Sequence, residues 1–422
     1  MLGGSPGSIG TGWKSCLVVL LLRVSADAII EDAVRIYFDH NATTPVDPAV
    51  VEAVAGAMSE VFGNASSVHA YGQQAKAMLD DARGEVADLI AGEPAEVVFT
   101  GGGTEADNFA LRGAIEASDA RGRRRVISSA IEHEAVLNTC RHLVRRGYEW
   151  TVLPVSSAGA VAPISLREVM GPDVAVVSVM HANNEIGTIQ PIAELAAIAH
   201  EHGAMFHTDA VQSVGKIPVD VKALGVDLLS LSGHKFNAPK GVGALWIRRG
   251  IRLSPLMTGG RHERNRRAGT ENVPGLVGLG AAARLARQHL AEQARVIEPL
   301  RDRLEHGVVS AVSRTTVNGA GVARVPNTTN ISFENVEAES LLIALDLEGV
   351  AVSTGSACSS GTLEPSHVLK AMHLPAGRSQ NAIRFSLGHG STQAEVDHVV
   401  ALLPALVEKL RSLTRVPASA RA

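Results

Sequence analysis

Apolar and polar positions alternate in blocks along this chain. From Tyr37 onward, short apolar runs recur between stretches with helical spacing, and glycine and proline punctuate them. Seven runs read as strands, at residues 97–100, 125–128, 150–153, 174–180, 205–207, 228–231 and 244–247. Between them lie helical patterns. Ala75, Met78, Leu79, Ala82, Val86, Leu89 and Ile90 fall on one helical face and stop at Gly92. Strands alternating with helices predict an α/β fold, with a mainly parallel seven-stranded sheet covered by helices. Ligands of such sheets bind beyond the carboxyl ends of the strands.

The texture changes past about residue 290. A long helix over 277–304 leads to a strand at 330–333, a helix from Glu339 and a strand at 383–387. In the last strand Ile383, Phe385 and Leu387 share one face, and Arg384 and Ser386 the other. Thr392-Gln-Ala-Glu395 has the capping-box pattern ahead of a final amphipathic helix. This half reads as a smaller α+β domain. The expected division is an extension over 1–35, a large domain over 36–290 and a small C-terminal domain over 291–422. The first strand region could join the small domain.

Composition narrows the function classes. The chain has 422 residues, 45% of them hydrophobic, with a net charge of −4. Nothing in that balance favours nucleic acid. Cys16, Cys140 and Cys358 form no C-x-x-C pair, so neither a zinc site nor a disulfide framework is expected. That suits a reducing compartment, and a cytoplasmic location is expected. No run reaches the length of a membrane span. Residues 16–22 faintly resemble the apolar core of a signal peptide, but only Lys14 precedes them, and they read as part of the non-core extension.

Several constellations could carry chemistry. Ser232-Gly-His-Lys235 follows the apolar run 228–231, so Lys235 stands at a strand end. A strand-end lysine can simply reach solvent. A desolvated one can attack a carbonyl and form a Schiff base. Phe99-Thr-Gly-Gly-Gly-Thr104 is a strand, a glycine turn and a helix start, so Gly102, Gly103 and Thr104 could cradle a phosphate. Asp209 follows the strand at 205–207; it could cap the next helix or pair with a cationic ring nitrogen. Gln212 could donate to an oxygen on the same ring. A ring nitrogen, a phenolic oxygen, an aldehyde and a phosphate together describe pyridoxal 5′-phosphate. His133 and Asn184 also follow strands; His133 could stack on the ring and shuttle protons. The basic stretch 261–270 could be a solvated loop or a nucleic-acid patch, but a phosphate contact through Thr270 fits better. Cys140 has the spacing of a core residue. Cys358 lies among small residues, Ser353-Thr-Gly-Ser-Ala-Cys-Ser-Ser-Gly361, that can hardly pack as core, so its thiol is expected to be available.

Longer motifs add a resemblance. Asn41-Ala-Thr-Thr-Pro-Val-Asp-Pro48, Phe62-Gly-Asn64 with Ser66-Ser-Val-His69, Glu132-His133, Ser232-Gly-His-Lys235 and Gly355-Ser-Ala-Cys358 with Leu363-Glu-Pro-Ser-His367 together resemble the cysteine desulfurases. These are fold type I pyridoxal-phosphate enzymes of the class V aminotransferase group. The similarity runs from about residue 37 to about 410. Residues 174–187, 207–220 and 266–273 are most similar to the NifS, or nitrogen-fixation, branch. The resemblance implies that Lys235 carries the cofactor, His133 stacks on its ring, Asp209 pairs with the ring nitrogen and Gln212 with the ring oxygen. Gly103, Thr104, Ser232, Gly233 and His234 would hold the phosphate, with Thr270 reaching in from the other subunit of a homodimer. Asn184 and Arg384 would hold the carboxylate of L-cysteine. Cys358 would take the sulfur as a persulfide and pass it to an iron–sulfur scaffold or other acceptor, meeting iron there directly in a nitrogen-fixation enzyme. Selenocysteine lyase, cysteine sulfinate desulfinase, a transaminase and a non-catalytic sulfur-pathway scaffold are the competing expectations. Three positions depart from the family pattern: Ala65 replaces a proline, and Arg261 and Asn265 replace glycines in the loop before Thr270.

Overall fold

The structure is a computed structural model that describes residues 35–354 and 366–414. Cys16, Cys358 and residues 1–34 of the expected extension lie outside the described residues. The strands, in chain order, are β1 (Ile36–Tyr37), β2 (Val97–Thr100), β3 (Arg125–Ser129), β4 (Glu149–Leu153), β5 (Val174–Ser178), β6 (Met205–Asp209), β7 (Leu228–Ser232), β8 (Gly243–Ile247), β9 (Thr315–Asn318), β10 (Thr328–Phe333), β11 (Val350–Ala351) and β12 (Ala382–Ser386).

All seven apolar runs expected as strands belong to one seven-stranded sheet, ordered β2-β8-β7-β6-β5-β3-β4. Neighbours from β4 across to β7 pair in parallel, and β8 runs antiparallel to both β7 and β2. Every residue of β5, β7 and β8 is buried, because helices cover both faces of the sheet. Leu228, Leu229 and Leu231 are fully buried. Each such side chain is worth about 1.5–3 kcal/mol of burial. The polar residues of these strands gather near their carboxyl ends, where Asp209 and Ser232 terminate β6 and β7.

Around the sheet, the helix expected near residues 75–90 spans Ala70–Leu89, capped by the His69 side chain. The helix Gly103–Asp119 starts at the carboxyl end of β2, and Glu134–Arg145 follows β3. The long helix runs from Val273 to Ala311, seven residues past the expected end. Pro299 lies inside it, yet Ile297, Leu304 and Val308 are buried in the C-terminal core and hold it together. This one helix carries the chain through residue 290 and between the two cores.

The smaller C-terminal part centres on a three-stranded antiparallel sheet, β12-β10-β9. Ile383, Phe385 and Leu387 face its core as their alternation predicts. The polar strand β9 has no apolar pattern of its own, and its pairing with β10 sets its register. β1 pairs in parallel with β11, and Ile36 and Phe38 pack into the C-terminal core. The final helix, Gln393–Thr414, opens with the expected capping box: Thr392 N–H donates to Glu395 Oε2 (2.6 Å), and Glu395 N–H to Thr392 Oγ1 (3.2 Å).

Candidate cofactor and active site

Beyond Ser232 the chain makes a short 3₁₀ turn, Gly233–Lys235. Gly233 N–H donates back to Val242 O at 3.0 Å, so the turn stays fastened to β8. Lys235 Nζ donates to the carbonyls of Asn41 and Ala42, at 2.6 and 2.7 Å. Those carbonyls belong to the Asn-Ala-Thr-Thr-Pro turn, which Thr44 N–H ties to His234 O at 2.9 Å. The amine therefore has a fixed berth at the carboxyl edge of the sheet.

Asp209 ends the neighbouring strand and is 4% exposed. Its carboxylate accepts from Val211 N–H at 2.9 Å. Burial pushes its pKa up, while the charges of His133 and Lys235 pull it down. A carboxylate held off water needs a cation, which a protonated ring nitrogen would supply. Gln212 Nε2 donates to Asn41 O (3.0 Å), and its Oε1 accepts from Lys216 Nζ (2.5 Å). His133 caps the helix Glu134–Arg145, its Nδ1 accepting from Ala135 N–H at 3.1 Å. That bond places the proton of the neutral ring on Nε2. Burial pushes the His133 pKa down and Asp209 pulls it up. Asp209 caps no helix, contrary to one expectation: a turn follows it, and the next helix, Val221–Leu224, is capped by Asp220.

The glycine turn lies beside this group. Gly102 has φ +147°, a conformation that favours glycine. A Cβ on Gly103 would lie 2.8 Å from Val211 Cγ2, so the glycine turn and the chain just after β6 approach closely there. The helix Gly103–Asp119 has no side-chain cap, which leaves its first N–H groups for a ligand anion. The turn opens on a cavity of about 660 Å³ lined by Gly102, Gly103, Thr104, Ser232 and His234. Gly233 is buried in the same turn.

Arg384 and Asn184 form the other end. Arg384 is 2% exposed; its Nη1 donates to Asn184 O (3.0 Å) and its Nη2 to Asp39 Oδ1 (2.6 Å). Its buried Nε lacks a partner among the described residues. Of the three guanidinium nitrogens, Nε–H is therefore the one donor still wanting an acceptor among the described residues. Asn184 reaches this group through its backbone carbonyl.

Thr270 is apart from these residues. It is exposed and does not line the glycine cavity in this chain. The loop before it holds three successive residues with positive φ: Glu263 (45°), Arg264 (58°) and Asn265 (65°). Asparagine tolerates the left-handed conformation that the usual glycine would take, and Arg261 has an ordinary φ of −80°. Arg83 pins the loop through two bonds to Glu263 (2.7 and 2.8 Å), and Glu263 also accepts from Phe99 N–H at 3.1 Å. Arg267 pairs with Glu105 (2.8 and 3.2 Å), which in turn accepts from Gly101 N–H. The basic stretch is committed largely to this chain.

Cys358 lies outside the described residues, but the residues flanking its segment do not. Ser353 and Arg384 exchange backbone bonds, Ser353 N–H to Arg384 O at 3.2 Å and Arg384 N–H to Ser353 O at 2.7 Å. After the segment, Ser366 Oγ donates to Glu185, and His367 Nε2 donates to Glu132 O at 2.9 Å. Cys140 is core, and burial pushes its thiol up to about 12. Among the described residues no cluster of three or more His, Cys, Asp or Glu could hold a metal.

Two residues here had no assigned part in the sequence reading. Asn41 is 1% exposed and meets Lys235, Gln212 and Lys216. Lys216 is half-buried, and loss of hydration, then the charges of Lys235 and Arg384, push its pKa well below the ordinary lysine range. Its place four residues after Gln212 was the one local sign of that contact.

Taken as a donor set, the lysine, the buried acid, the amide and the glycine cradle fit pyridoxal 5′-phosphate. The comparisons agree. The family model described as aminotransferase class-V matches residues 36–399. A cysteine desulfurase of Gluconacetobacter diazotrophicus is 49% identical over 381 residues, covering 90% of this chain and 95% of that protein. Among solved structures, a NifS-like protein aligns with a TM-score of 0.82 at 37% identity, over 90% of this chain and 99% of its own. A protein described as SspA in complex with cysteine aligns with a TM-score of 0.75 at 34% identity, over 84% and 99%. The chain belongs to the class-V aminotransferase family, in its cysteine desulfurase branch.

Proposed function

We propose that this chain is a pyridoxal-phosphate-dependent cysteine desulfurase that moves the sulfur of L-cysteine onto Cys358 and releases L-alanine. One observation carries the reading. The segment bearing Cys358 departs at Ser353, bonded to Arg384, and rejoins at Ser366 and His367, bonded to Glu185 and Glu132. The first anchor neighbours the lysine: Arg384 shares Asn184 O with Asn41, whose own carbonyl takes Lys235 Nζ. The second neighbours His133, which Glu132 directly precedes. Cys358 is five residues past Ser353, a reach of about 17 Å in extended chain.

Pyridoxal phosphate, when bound, supplies a carbonyl carbon that links to amines and a ring that takes up an electron pair. Gly103, Thr104, Ser232, Gly233 and His234 hold its phosphate, and Lys235 holds its carbonyl carbon. Asp209 keeps the proton on its ring nitrogen, Gln212 donates to its ring oxygen, and His133 covers its face. The Arg384 guanidinium, beside Asn184, would take the substrate carboxylate. Lys235 Nζ, berthed on the Asn41 and Ala42 carbonyls, would take the α-proton of bound cysteine and return a proton to Cα before alanine leaves. Cys358 thiolate then bonds to the substrate sulfur as the Cβ–S bond breaks. Cβ receives that electron pair and a proton, which His133 Nε2 can relay. Cysteine and the Cys358 thiol give alanine and a Cys358 persulfide, with no other oxidant or reductant.

A homodimer is part of the reading. Thr270 is exposed, and Met58, Phe62, Val68 and Tyr71 expose 57–93% of their surface within one short stretch. Such a patch suits a second copy whose phosphate Thr270 would reach. The sulfur acceptor is an iron–sulfur scaffold protein in the cytoplasm, and service to nitrogenase clusters, with iron meeting the Cys358 persulfide, is the finer form of the proposal. No helix among the described residues is long and apolar enough to cross a membrane.

The test is sulfide release and alanine formation from L-cysteine. Cys358→Ala should abolish sulfide release and keep the yellow cofactor colour; near-normal turnover would defeat the nucleophile assignment. Lys235→Ala should lose the lysine-linked absorbance. A reducible lysine adduct elsewhere in that variant would show that another lysine holds the cofactor.

A further inference from the structure

The Asn41 side chain has no role above, yet it joins both ends of the site. Its side-chain amide has two donors and two acceptor positions, and all four are used. Oδ1 accepts from Lys216 Nζ (2.8 Å) and Asn327 Nδ2 (3.0 Å). Nδ2 donates to Asn184 O (3.0 Å) and Thr328 Oγ1 (2.8 Å). Reversing the amide would set its NH₂ against the Lys216 amine and its oxygen against the Asn184 carbonyl, so one orientation is allowed. Its backbone is engaged as well: the N–H donates to Ser386 Oγ (3.0 Å), and the carbonyl accepts from both Gln212 Nε2 and Lys235 Nζ.

We infer that Asn41 is a positioning residue that sets the cofactor-holding and carboxylate-holding groups against each other, with Lys216 locking its orientation. Two shared atoms make the link. Asn41 O receives Lys235 and Gln212 together. Asn184 O receives Asn41 Nδ2 and Arg384 Nη1 together. Lys216 closes the loop by bonding Gln212 Oε1 and Asn41 Oδ1 at once. It fixes the Gln212 amide so that Nε2 faces Asn41 O and has one N–H left for the ring oxygen. A shift of Lys216 must therefore be felt at Arg384, although among the described residues no hydrogen bond joins them directly.

The inference rests on reading Lys235 as the cofactor lysine and Arg384 as the carboxylate group. Its test is a double-mutant cycle on Asn41→Asp and Lys216→Met. Each variant is measured for melting temperature, for affinity of the apoprotein for pyridoxal phosphate, and for KM and kcat with L-cysteine. A lost bond to a charged donor corresponds to about tenfold in affinity. Asn41→Asp keeps the acceptor oxygen and loses both side-chain donations. It should raise KM about tenfold and weaken cofactor binding. Lys216→Met should weaken cofactor binding about tenfold and also raise KM. The double variant should be no worse than the worse single variant. The inference is overturned if the two effects multiply independently, or if KM is unchanged in both single variants. Should Asn41→Asp not fold, Thr328→Val with Lys216→Met runs the same cycle, since each removes one partner of Asn41. The apoprotein titration needs no cysteine. If the wild type binds the cofactor but releases no sulfide, the desulfurase reading fails while the cycle in cofactor affinity still decides this one.

Discussion

Asp209→Asn isolates one charge in the site. The substitution keeps the shape of the side chain and an oxygen for Val211 N–H, now 2.9 Å from Asp209 Oδ1. It removes the carboxylate that would hold a proton on the ring nitrogen. Asp209 is 4% exposed, so water cannot replace it. Deleting one partner of a buried ion pair costs about 3–5 kcal/mol. At 1.36 kcal/mol per tenfold, that is a loss of about 10²- to 10⁴-fold in turnover. Cofactor affinity of the apoprotein should fall as well, but the lysine linkage should still form, because Lys235 keeps its bonds to Asn41 O and Ala42 O. The assay is single-turnover alanine formation from L-cysteine, with the absorbance spectrum recorded on the same sample. A variant within tenfold of wild-type turnover would refute the pairing of Asp209 with the ring nitrogen.

Three further outcomes are expected. Glu263→Ala leaves Arg83 buried without its carboxylate, should destabilise the protein by about 3–5 kcal/mol, and should weaken cofactor binding through the Thr270 loop; a denaturant melt and an apoprotein titration check both, and an unchanged midpoint would contradict the pinned-loop account. Burial raises Glu132 from an unfolded value near 4.5 to about 8, so the folded state holds a proton that the unfolded state releases between those values, and stability falls as pH rises through that window. Glu132→Gln should flatten the stability curve there by up to about 1.4 kcal/mol per pH unit, read by denaturant melts from pH 5 to 8; an unaltered slope would mean Glu132 is already ionised. Arg384→Met should raise KM for L-cysteine by at least about tenfold, since a charged bond to the substrate carboxylate is lost, with a smaller loss of cofactor affinity passed through Asn184 O; a change in cofactor affinity alone would relocate the carboxylate site.

The amino-acid sequence by itself determined the sheet. Its seven strands were readable because a sheet covered on both faces needs continuous apolar runs, and Leu228–Ser232 or Val174–Ser178 can hardly be anything else. The same local reading placed Asp209, Lys235 and the glycine turn at strand ends, where a parallel sheet puts its ligands. It could not say that β9 pairs with β10, because Thr315-Thr-Val-Asn318 carries no apolar signal. Nor could it show that Asn265 would adopt a glycine's conformation, which depends on Glu263 being held by Arg83 across 180 residues. The junction at Asn41 was the least legible part. Its partners lie from 143 to 345 residues away, at Asn184, Gln212, Lys235, Thr328 and Ser386. Hydrogen bonds of that range exist only once two separate cores have packed, so the tertiary structure alone decided which side chains would share one amide.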